Sequence, residues 1–274
     1  AMLMAAVKGC DDETAPWDAA DCLGFEAAPM DGKALILFDT EQSPYDAWQN
    51  LSRAARRAGV ESLPETLFAY RLLDVNTMER LGLVEAEMKR RKIECGGIFA
   101  VIIDGAADLA LSVNDEREAY LLVEKLVHLA VKYDCPIIVV LHENPGSEKM
   151  RGHLGSQIER KAETNLRLSK GSNGVVEMFG ERCRNAFIPK GQGAFFQWSD
   201  DAMMHVSCEP PAGKAEVKAA AEIEARDAAF AGAVGALAYA DLRERIMKTM
   251  GIKNRASEGR LKQWLSGGPV AKDD

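Results

Sequence analysis

Three apolar runs in this sequence end in groups that can do chemistry. Residues 34–38 (ALILF) lead into Asp39, Thr40 and Glu41; residues 98–103 (IFAVII) lead into Asp104; residues 136–141 (PIIVVL) lead into His142 and Glu143. A carboxylate fixed at such a point can take a proton from water or offer a hard oxygen to a divalent cation, and a neighbouring imidazole can share proton work. A second set is cationic: Arg151, Arg160 and Lys161 follow the third run, Arg182 and Arg184 stand in GERCRN, and Arg255, Arg260 and Lys262 lie near the end. Such groups pair with phosphate oxygens, arginine through a planar fork. Each has a plainer reading too: Asp104 as a cap on the next turn, the cations as a solvated face.

The elements that must carry these residues alternate. Strands are predicted over Ala34–Phe38, Leu67–Tyr70, Ile98–Ile103 and Pro136–His142, all continuous apolar runs as in strands covered on both faces. Between them the spacing predicts helices. One covers about Pro44–Ala58, capped by Ser43 and stopped at Gly59, with Ala47, Trp48, Leu51, Ala54, Ala55 and Ala58 on its apolar side. Another opens at Asn76 and carries Met78, Leu81, Val84 and Met88; a third follows Asn114 and runs to Tyr133. Alternation of this kind gives a mostly parallel sheet, with working residues at the carboxyl ends of its strands. Asp39, Glu41, Asp104 and His142 all fall there.

Residues 144–156 read as a polar loop. The texture then changes to short strands at Ala162–Leu168, Val175–Phe179, Asn185–Ile188, Ala194–Trp198 and Met203–Val206, an antiparallel, hairpin-rich edge. The predicted organisation is a core over 1–208, a linker with an Ala-rich helix over 209–238, and a helix-turn-helix-like module over 239–274.

Composition bounds the function. The 274 residues carry a net charge of −8, which excludes a uniformly basic nucleic-acid-binding surface, yet 239–272 holds eight Lys/Arg against three acids. No apolar run reaches the ~20 residues of a membrane span, so no membrane partner is expected. The six cysteines are scattered without a C-x-x-C pair, which points to a reducing cytoplasm rather than a disulfide framework or zinc site.

Taken together, LFDTEQS, the Asp104 strand, PIIVVLHENPGS and GERCRN resemble the RecA-like P-loop ATPases, most closely hexameric replicative helicases of the plasmid RepA and DnaB type. The resemblance implies an ATP- and Mg²⁺-dependent enzyme of DNA replication on a plasmid or similar mobile element, acting as a homo-oligomer. It implies roles as well: Glu41 as the base for the attacking water, Asp104 as the Mg²⁺ partner, His142 as the γ-phosphate sensor. Arg182 and Arg184 would reach a neighbour's nucleotide, with Arg182 where the family has Lys. Residues 151–170 resemble the family's mobile DNA-facing loop and the strand after it, which assigns Arg151, Arg160 and Lys161 to DNA. The tail resembles a winged-helix-like C-terminus, with Arg255, Arg260 and Lys262 on its exposed side.

One part of the family pattern is missing. No G-x-x-x-x-G-K-[ST] occurs in the chain. Residues 2–10 resemble the end of the helix that follows a P-loop, so the expectation is a chain starting just downstream of one, binding ATP weakly and hydrolysing it negligibly. Two other classes remain: a non-catalytic remnant that binds DNA or a protein, and a P-loop-derived DNA-repair ATPase.

Overall fold

A computed structural model describes residues 21–25, 27–143, 152–185, 187–211, 214–233 and 237–266. The chain divides into two units, Ala1–Glu209 and Pro210–Asp274.

The larger unit is α/β. Its first sheet holds β1 (Ala34–Asp39), β2 (Leu67–Arg71), β3 (Ile98–Asp104) and β4 (Ile137–Val140), all parallel, in the order β2-β1-β3-β4. Between them run α1 (Pro44–Ala58), α2 (Thr77–Glu94) and α3 (Glu116–Tyr133). Side chains alternate across β1. Ile36 and Phe38 join Val84 and Met88 of α2 and Leu122, Leu126 and Leu129 of α3 on one face; Leu35 meets Ala54 and Ala58 of α1 on the other. Each fully buried Phe, Ile or Leu contributes about 1.5–3 kcal/mol, so a run apolar at every position is stable only between two helical layers.

Local signals set the helix ends. Ser43 accepts a hydrogen bond from the Asp46 N–H, Pro44 occupies the first turn, and Gly59 closes α1 at φ 68°. The expected apolar side of α1 is only partly right. Trp48 is 62% exposed, because at ~3.6 residues per turn it stands about 120° round from Ala54.

A second, antiparallel sheet follows: β5 (Thr164–Lys170), β6 (Val176–Cys183), β7 (Ala194–Ser199) and β8 (Met204–Ser207), in sequential order. It is tied to α1 through Arg57. This buried guanidinium donates to the Asp21 and His205 carbonyls, while the Asp21 carboxylate accepts from Ser207.

Two expectations are corrected here. Residues 152–161, read within a loop leading to a strand, form α4 (Gly152–Lys161). Leu154 and Ile158, one turn apart, bury against the core shared with α3, and a two-residue stripe is easily overlooked. Asn185–Ile188 is not a strand among the described residues: the chain bends at Arg184 and Asn185, and the Ile188 carbonyl accepts one bond, from the Gly180 N–H.

The smaller unit contains α5 (Lys214–Phe230), α6 (Tyr239–Met250) and α7 (Asn254–Ser266) around one core of Ala229, Leu242, Ile246, Leu261 and Trp264. Gly251, at φ 63°, ends α6 in the left-handed conformation that suits glycine. The Ala-rich helix therefore packs with the last two helices.

Candidate functional site

The carboxyl ends of β1 and β3 lie side by side, with Asp39 in register with Asp104. Asp39 is buried, and its Oδ1 accepts from the backbone N–H groups of Glu41 and Gln42, both at 2.9 Å. That turn ends the strand and lifts the Glu41 side chain to the tip. Thr40, fully buried, joins the two strands a residue beyond their ladder. Its N–H donates to the Asp104 carbonyl at 3.1 Å, and its hydroxyl lies 3.1 Å from that oxygen and 3.0 Å from the Gly105 carbonyl.

Gly105 makes this closeness possible. It sits at φ 83°, and a Cβ there would fall 2.1 Å from Thr40 Oγ1 and 2.9 Å from Glu41 Cγ. Only glycine combines that backbone angle with that space.

The third strand completes the group. His142 follows β4, and its Nε2 is 3.1 Å from Glu41 Oε2, with the His142 side chain 71% exposed. Asp104 feels both its burial and the Asp39 and Glu41 carboxylates, which together hold its carboxyl above the usual range; His142 opposes them. The four residues that the sequence placed at strand ends are thus brought together, with Glu41 reaching water and Asp104 held in a desolvated, anionic setting.

This donor set suits a hard cation. Magnesium keeps water and phosphate among its ligands and needs only one or two protein carboxylates. Among the described residues, no group of three or more His, Cys, Asp or Glu is placed to hold a metal ion.

The cationic residues fall elsewhere. Arg182 and Arg184 are exposed at and beyond the end of β6, and Arg184 Nη2 lies 3.3 Å from the Arg160 carbonyl. Arg160 and Lys161 are exposed at the end of α4, with Arg160 bonded to Gln157; Arg151 lies outside the described residues. A groove of about 510 Å³ opens beside them, lined by Asp115, Glu116, Arg117, Tyr120, Gln157 and Arg160, and includes none of the strand-tip acids. In the smaller unit Arg255 and Lys262 are exposed. Arg260 is half-buried and pairs with Glu222 at 2.6 Å, which makes it part of the packing between α7 and α5.

Thr40 and Gly105 were not anticipated from the sequence. Gly105 directly after a strand-ending Asp was the available clue. Trp48, expected on the apolar side of α1, and Tyr45, which the sequence reading did not single out, are both more than 60% exposed just beyond the acidic tip.

No family model matches the sequence, and no curated protein does. Among solved structures, the crystal structure of the RadB recombinase is similar at a TM-score of 0.43 and 21% identity, over 65% of this chain and 80% of that one.

Proposed function

We propose that the larger unit is the core of a RecA-like ATPase of the DNA-replication helicase type, with Glu41 as the general base. The observation that carries this reading is the Glu41 carboxylate, reaching solvent beside Asp104 and His142 at adjacent ends of parallel strands. A base for phosphoryl transfer must orient a water in line with the leaving phosphate, and a side chain at a strand tip locked by Thr40 and Gly105 has little freedom to wander. Asp104 is the partner for Mg²⁺, which when bound with phosphates would neutralise their charge. His142 holds Glu41 on one side and faces solvent on the other, as suits a residue that senses a bound anion. Arg182 and Arg184, exposed and away from these acids, suit action on a neighbouring copy's nucleotide, which requires an oligomer, a hexamer in the helicases it resembles.

The chain has no Walker A pattern to cradle phosphates. ATP affinity and turnover of the isolated chain are therefore expected to be low. The test is Mg²⁺-dependent ATP hydrolysis with and without single-stranded DNA, for the parent chain and for Glu41→Gln. A slow, Mg²⁺-dependent activity that Glu41→Gln removes supports the reading; activity untouched by Glu41→Gln overturns it. Turnover at the pace of a motor ATPase would refute the expectation of weakness.

A second reading follows from the smaller unit, where the exposed Arg255 and Lys262 on α7 favour a non-catalytic DNA-binding role. Salt-dependent DNA binding that Lys262→Glu abolishes and ATP leaves unchanged would favour it.

A further inference from the structure

One cation in the larger unit joins the strand-tip acids to the arginine-bearing end of β6. Arg167, in β5, is 14% exposed along its side chain. It grips Glu143 with two prongs, Nε to Oε1 at 2.7 Å and Nη2 to Oε2 at 3.1 Å, while its Nη1 lies 3.4 Å from Glu181 Oε1. Glu143 is the residue after His142, whose ring touches Glu41. Glu181 is the residue before Arg182.

The strand geometry favours this junction. Asn165 pairs with Arg182 and Leu166 with Gly180, so Glu181 is the extra residue of a β-bulge. A bulge re-aims a side chain and turns the strand end that follows it. Here it coincides with the contact to Arg167 and comes immediately before Arg182. A guanidinium largely withdrawn from water, bidentate on one carboxylate and near a second, fixes both more firmly than an exposed pair does.

We propose that Arg167 is a positioning residue that couples the His142–Glu41 pair to the end of β6, so that a change at Arg182 or Arg184 alters how His142 meets Glu41. That the coupling serves phosphoryl transfer rests on the reading above; the coupling itself does not.

The test uses the whole chain and no nucleotide. Imidazole NMR signals of His142, identified by their loss in His142→Gln, and backbone amide exchange are compared across variants. Arg167→Gln is expected to speed exchange at Leu141, His142 and Glu143 and at Cys183 and Arg184 by about tenfold, leaving His205 signals in place. Arg167→Lys should restore much of the protection. In the parent background Arg184→Ala should move the His142 signals; in the Arg167→Gln background it should not, a non-additive result. Glu181→Gln, which keeps the Glu143 grip, should by itself make the His142 signals insensitive to Arg184→Ala, and it serves where Arg167→Gln fails to fold. Additive effects of Arg184 and Arg167, or His142 signals equally sensitive to Arg184→Ala in Glu181→Gln, overturn the proposal. Because none of these signals depends on hydrolysis, a chain that never turns over ATP can still confirm or refute the coupling.

Discussion

The acids at the strand tips and the cations of α7 differ in what holds them. Around Glu41 and Asp104 the hold comes from the main chain: Asp39 folds the turn, Thr40 bridges two strands, and Gly105 leaves room for both. On α7 position on the helix decides. Arg260 points inward and is taken up by Glu222, while Arg255 and Lys262, on other sides of the same helix, remain exposed. A site built from backbone tolerates almost no change in shape, whereas one built from a helix surface tolerates changes of shape and responds to changes of charge.

The largest effect should come from Gly105→Ala. The added methyl meets the Thr40 hydroxyl at 2.1 Å in a left-handed backbone, so a loss of about 3–5 kcal/mol is expected. Urea unfolding of the larger unit measures it, and a loss below about 1 kcal/mol would break the contrast. Next come two substitutions on α7. Arg260→Ala, which removes the cation from the half-buried Glu222 carboxylate and leaves it only the Trp264 indole N–H, should destabilise the smaller unit by about 1–2 kcal/mol. Lys262→Ala should leave stability within about 0.5 kcal/mol and weaken only DNA binding, with a shallower salt dependence. If both behave alike in thermal unfolding and in DNA titration, the division of labour on α7 is wrong.

The smallest effect sharpens the comparison through pH. The Asp104 carboxyl is raised, chiefly by burial and then by Asp39 and Glu41. The folded state therefore holds that proton more tightly than the unfolded chain, whose carboxyl titrates near the ordinary 3.8. The favourable contribution is complete below that value and fades as pH rises through the folded-state value. Asp104→Asn should consequently raise the melting temperature at neutral pH, and the gain should disappear in acid. A gain that persists there would mean that charge is not its origin.

How far the sequence foretold this arrangement depends on the range of the forces involved. β1, β3 and their terminal acids were legible because a doubly covered strand must be apolar throughout and must change character where it ends. The ends of α1 were legible as well, since Ser43, Pro44 and Gly59 act on their own neighbours. Thr40 was not, because its hydroxyl bonds lie 64 and 65 residues away. Arg167 was hidden for the same reason: its partners stand 24 and 14 residues off, on another strand and past β4. The inward turn of Arg260 depends on Glu222, which a helical wheel of α7 alone does not contain.

The burial of Trp264 has a practical consequence. Trp48 and Trp198 are well exposed in the larger unit, while Trp264, with its indole N–H on Glu222, is the one tryptophan after residue 209. Its emission should be blue-shifted and insensitive to aqueous quenchers, in contrast to the red, quenchable light of Trp48. With Trp17, Trp48 and Trp198 replaced by phenylalanine, fluorescence would follow the melting of the helical unit largely apart from the rest of the chain.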